Sequence, residues 1–129
     1  MANKESKVQT NKNPAATDNS GTNIMTTRKS NGVIYVTSDA SEKFINKNMA
    51  FMAMQLIQLY LFEKGYLVST TMSTELNKIE LTCHFDEKPF PAVPEGYHYT
   101  QRETTSHNYW SDFSKTYDRV RCCTYYFRY

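Results

Sequence analysis

NMAFMAMQLIQLYLF, residues 48–62, decides how the rest of this chain is read. Met, Ala, Leu and Gln are good helix formers, and no charged residue interrupts the stretch. A helix with one face on a core normally carries lysine and glutamate on the other. Placed at 100° per residue, Met49, Ala50, Met52, Ala53, Leu56, Ile57, Leu59, Tyr60 and Leu61 cover well over half the circumference. That face predicts burial under a sheet. The remaining stripe is Phe44, Asn48, Phe51, Gln55, Gln58 and Phe62, spaced 4, 3, 4, 3, 4, which is the seam spacing of a helix pair. Burying a phenylalanine is worth roughly 1.5–3 kcal/mol, so three left in water would sacrifice much of a small domain's stability. Two covers satisfy the pattern. One is the same helix of a second subunit across a two-fold axis, with Gln55 and Gln58 bonding across the seam. The other lies within the chain: the sheet, the connector 86–96 or the segment 106–118.

Upstream, VIYVT (Val33–Thr37) is β-branched and aromatic and predicts a strand. In the following SDASEK, Asp39 can cap a helix and Glu42, three residues on, can complete a capping box. The helix is then expected to run from there to about Lys64, with Gly65 as its left-handed cap and Tyr66 packing back. Downstream the period changes to two. Tyr66–Met72 and Lys78–Phe85 predict a hairpin joined at Ser73–Asn77, with Ile79, Leu81, Cys83 and Phe85 sharing one face. Tyr97–Thr104 and Arg119–Phe127 predict further strands after the connector DEKPFPAVPEG, and 106–118 fits no single element. The expected fold is α+β: one long buried helix on a curled antiparallel sheet of about five strands.

A chain of 129 residues makes one domain, with or without a tail. Residues 1–31 hold no aromatic side chain and little to bury, which predicts a disordered polar arm ahead of a single domain at 32–129. Hydrophobic residues make up 40% of the chain, yet mean hydropathy is −0.65, consistent with polar residues gathered in such an arm. Net charge is +2, too small to imply nucleic acid by itself. Its distribution is mildly polarised. Residues 1–31 carry five basic and two acidic side chains, 32–96 carry five and eight, and 97–129 carry five and three.

Three cysteines, an odd number, and the absence of an apolar signal segment predict free thiols in the cytoplasm or another reducing intracellular compartment. Met49–Phe62 falls short of the roughly 20 apolar residues that span a bilayer, so no membrane partner is expected. A polar arm on a compact core, with abundant Asn, Thr, Lys and Tyr, also suits a viral or phage accessory protein of the virion.

Catalysis needs convergent titratable groups, and these are sparse. Cys83 and His84 are neighbours on one strand, as are Cys122 and Cys123, so each pair points to opposite faces. No zinc motif, phosphate-binding glycine loop or triad signature occurs, and Ser106, His107 and Asp112 are too close in sequence to make one. The expectation is a non-enzymatic protein without cofactor or metal, working by binding itself and another protein. The rival partner is single-stranded nucleic acid. Tyr97, Tyr99, Arg102, Arg119, Arg121, Tyr126 and Arg128 interleave aromatic rings with guanidinium groups, as base-stacking surfaces do. Finally, KPFPAVP (Lys88–Pro94) resembles a class I ligand of Src-homology-3 domains. The resemblance implies that Pro91 and Pro94 preset a polyproline II ridge and that Lys88 meets an acidic pocket.

Overall fold

The computed structural model describes residues 25–129. It is α+β: one helix and one six-stranded, wholly antiparallel sheet. In chain order the elements are β1 (Met25–Ser30), β2 (Val33–Asp39), α1 (Lys47–Glu63), β3 (Leu67–Ser73), β4 (Lys78–His84), β5 (Gln101–Ser111) and β6 (Thr116–Arg128). Across the sheet the order is β1-β2-β5-β6-β4-β3, which leaves β1 and β3 as edges.

Six strands replace the expected five, and the extra one comes from the arm. Residues 25–30, polar enough to be assigned to a disordered tail, form β1 and pair with β2 from Met25↔Ser38 to Ser30↔Val33. Asn31 and Gly32 turn the chain with φ of +52° and +79°. Asn-Gly supplies the two left-handed residues that a tight hairpin turn demands, and this dipeptide is the local signal for the β1–β2 hairpin. The rest of the predicted arm, residues 1–24, lies outside the described residues.

The helix starts later than its supposed capping box. Asp39 ends β2 and its Oδ1 accepts a bond from Gln101 Nε2 at 2.9 Å. Ala40 N donates to Thr100 O and Phe44 N to Arg128 O, so residues 40–44 are fastened to the end of the sheet and cannot wind up. Asn46 is the true cap: its backbone is extended and its Oδ1 accepts from Met49 N at 3.0 Å. The C-terminal end is as expected, with Gly65 at φ +88° and Tyr66 N donating back to Leu61 O.

The core lies between α1 and half of the sheet. Ala50, Met54, Ile57 and Leu61 meet Ile79, Leu81, Cys83 and Phe85 from β4 and its exit, and Cys123, Tyr125 and Phe127 from β6. The alternation read in β4 is therefore real. The segment 106–118 is neither loop nor helix. It completes β5 and opens β6 as a long hairpin, paired as far as Ser111↔Thr116.

Candidate functional site

The helix is buried on one face, not all round. Ala50, Met54, Ile57 and Leu61 recur at 4, 3 and 4 and point to the sheet. Opposite them Met49, Met52, Leu56 and Leu59 recur at 3, 4 and 3, and all four are 48–63% exposed. Phe62 is 69% exposed beside them. Between Lys47 and Glu63 the helix carries no charge, so nothing ionic breaks this row. Long apolar side chains in a continuous exposed strip are what marks a contact surface; scattered single ones are ordinary.

The stripe singled out by spacing is divided by the structure. Phe44 packs against Phe127 with ring centroids 6.3 Å apart, and Phe51 is half-buried against the core. Gln58 is also half-buried, while Asn48, Gln55 and Phe62 are exposed. Conversely, Met49, Met52, Leu56 and Leu59, expected under the sheet, face away from it. Two interleaved rows share the seam spacing, and of the three phenylalanines only Phe44 and Phe51 took the sheltered flank.

The proline segment is a strap across the core. Pro91 is buried, and its carbonyl accepts from the Tyr125 hydroxyl at 2.6 Å. The Lys88 ammonium bonds to the Gly65 carbonyl, and the Lys88 carbonyl accepts from Arg121 at 2.8 Å. Tyr66 donates to Pro89 O at 2.8 Å, and Phe90 meets Phe85 edge-on. Only Pro94 of the three motif residues is unengaged by these bonds and exposed. Pro91, the central proline of the motif, thus faces the core in this fold and is not part of an exposed ridge.

The aromatic and arginine residues do not form one surface. Tyr97 packs on Tyr60, and Tyr99 meets Tyr125 edge-on. Arg102 lies over Phe90 and Tyr99, and Arg121 over Phe85. The pairing register puts Arg119 and Arg121 on the helix side of β6 but Tyr126 and Arg128 on its back. Tyr126 donates to Glu103 and Arg128 to Gln101. Burial first, then the Glu103 carboxylate, pushes the Tyr126 phenol up to about 12. Arg119 is the exposed arginine of the set.

One pairing escaped the linear reading. His84 and Cys122 are opposite one another on β4 and β6, with Sγ 3.1 Å from Nδ1. Only the cross-strand register could have revealed it. Burial and then the Asp86 carboxylate hold this thiol above its usual range, so it rests protonated beside the imidazole. A catalytic cysteine needs the opposite shift. Among the described residues no three His, Cys, Asp or Glu side chains converge to hold a metal, and no helix is long and apolar enough to cross a membrane.

Among the described residues, these features define a small α+β fold of one helix on one antiparallel sheet, whose most distinctive surface is the exposed back of the helix. Comparison with known proteins finds no matching family model, no matching curated protein and no matching solved structure.

Proposed function

We propose that this protein is a non-enzymatic assembly module whose first partner is a second copy of itself, bound through the back of α1. The observation that carries the reading is the row Met49, Met52, Leu56 and Leu59, exposed at seam spacing on a helix without internal charge. A two-fold axis lays this row against its own copy, and an uncharged row meets itself without like-charge repulsion. Each of these side chains is about half-exposed, so covering it returns roughly half of the 1.5–3 kcal/mol of full burial, summed over both copies and set against the cost of association. A monomer would leave the same row in water.

The test is the molar mass of the full chain by light scattering, for wild type and Leu56→Glu. The expected result is an oligomer whose mass drops in the variant, with the circular dichroism kept, because Leu56 faces solvent in the subunit. Phe51→Glu, which puts a charge against the core, should instead lose helix content and stability. A wild-type protein of single-chain mass at high micromolar concentration would overturn the proposal.

A further inference from the structure

Among the described residues, nothing pairs with the outer edge of β3, the outermost strand on the helix side. Its sequence, LVSTTMS, contains no charge and no proline over seven residues, and five of the seven are exposed. Folded proteins usually protect such an edge with lysine, proline, a bulge or a covering loop, because its free N–H and C=O groups invite another strand. The other edge is protected in this way. β1 places Arg28 and Lys29 in the second half of MTTRKS, and Arg28 is turned toward Tyr35 and Glu103.

We propose that β3 pairs antiparallel with the β3 of a second copy, joining two six-stranded sheets into one across a second two-fold axis. The strand's chemistry selects this occupant. Antiparallel self-pairing about Thr70 sets Thr70 against its own copy, Ser69 against Thr71, Val68 against Met72 and Leu67 against Ser73. No charge meets a like charge; Thr70 and Ser69 meet hydroxyl partners and Val68 meets Met72, pairs that stabilise a sheet, while Leu67 meets Ser73 at each end. Self-pairing of β1 would crowd Arg28 and Lys29 of both copies together.

The helix above supports the same geometry. Met54 reaches Thr70 of β3, while Tyr60 on the other flank of α1 meets Tyr97 of the connector. The flank bearing Phe51, Gln58 and Phe62, with Gln55 beside it, therefore overhangs the β3 edge. Joining the edges brings this flank of both helices together, covering Phe62, which is 69% exposed in the single chain.

This contact involves a surface separate from the back of α1 and shares with it only the identity of the partner. Two self-complementary surfaces on one chain build assemblies larger than a dimer.

The experiment compares full-length wild type, Ser69→Lys/Thr71→Lys, Leu56→Glu and the combined variant by sedimentation and light scattering. Both edge substitutions fall on exposed side chains of the sheet's outer face, so the fold should persist, checked by circular dichroism. The expected masses are above dimer for wild type, dimer for either surface variant and monomer for the combination. An unchanged mass in Ser69→Lys/Thr71→Lys overturns the edge pairing and leaves the helix contact standing. An unchanged mass in Leu56→Glu does the reverse. Hydrogen exchange gives a readout that needs no variant. The β3 amides that point away from β4 should be protected at high and open at low protein concentration, and concentration-independent exchange of these amides overturns the proposal.

Discussion

Two of the three thiols sit where ionisation is worst tolerated. Cys83 and Cys123 are fully buried and lie opposite one another on β4 and β6. Burial, then the neighbouring Cys123, pushes the Cys83 thiol up to about 12, and burial pushes Cys123 up to about 11. Above the ordinary thiol value of 9.0 an unfolded chain ionises both while the folded chain keeps its protons. The folded state then binds more protons, so stability falls as pH rises. Their contribution is complete below pH 9 and is lost through the window from there to about 11 and about 12. The slope should reach about 1.4 kcal/mol per pH unit for each thiol. Urea midpoints measured from pH 8 upward should drop accordingly, and Cys83→Ala should flatten the curve by its share. A midpoint indifferent to pH across that window would refute this placement. At neutral pH the same burial leaves Cys122 as the one thiol open to alkylation in the native state, where the odd cysteine count had indicated only that thiols are free.

At the scale of elements, the sequence was legible wherever a single local rule had no competitor. The alternation of Ile79, Leu81, Cys83 and Phe85 could only be a strand with one buried face, and Gly65 could only end a helix. The helix start was not legible, because two capping sequences lie seven residues apart. Asp39 with Glu42 makes the better box on paper, yet Ala40 and Phe44 are claimed by hydrogen bonds to Thr100 and Arg128, far along the chain. Asn46 then caps by default. The two starts differ measurably. Asn46→Ala should cost about 1 kcal/mol in urea denaturation, whereas Glu42→Ala, exposed and outside the helix, should stay within about 0.5 kcal/mol. The reverse order would restore the earlier start. The faces of α1 failed for a similar reason. Rows 44-48-51-55-58-62, 49-52-56-59 and 50-54-57-61 share one periodicity, and periodicity cannot say which row meets the sheet. Burial settles it: 50-54-57-61 lies on the sheet, and Phe44 against Phe127, a contact across 83 residues, ties the chain ahead of the helix to β6.

Over the whole molecule, the packing is lopsided, and stability should be graded to match. Helix α1 packs on β3, β4 and β6, leaving β1, β2 and most of β5 outside its cover. The pairing of β2 with β5 ends at Val33↔His107, so residues 108–119 project as a two-stranded ribbon with no third strand beside it among the described residues. Such ribbons are marginal on their own. This one is held by a local device: Trp110 meets Tyr117 edge-on at 5.2 Å and donates its indole N–H to Asp112 at 2.8 Å. Phe113 at the tip is 99% exposed. Amides of Ile79, Leu81, Cys123 and Tyr125 should therefore exchange only when the whole domain unfolds, and those from Asn108 to Arg119 by local opening, orders of magnitude sooner. Trp110→Ala should speed the ribbon amides further while leaving the core amides and the urea midpoint nearly unchanged, because the Trp110–Tyr117 pair contributes nothing to the core beneath α1. Residue-resolved exchange decides the matter. Ribbon amides as slow as those of β4, in a variant that is monomeric, would show the projection to be part of the cooperative fold.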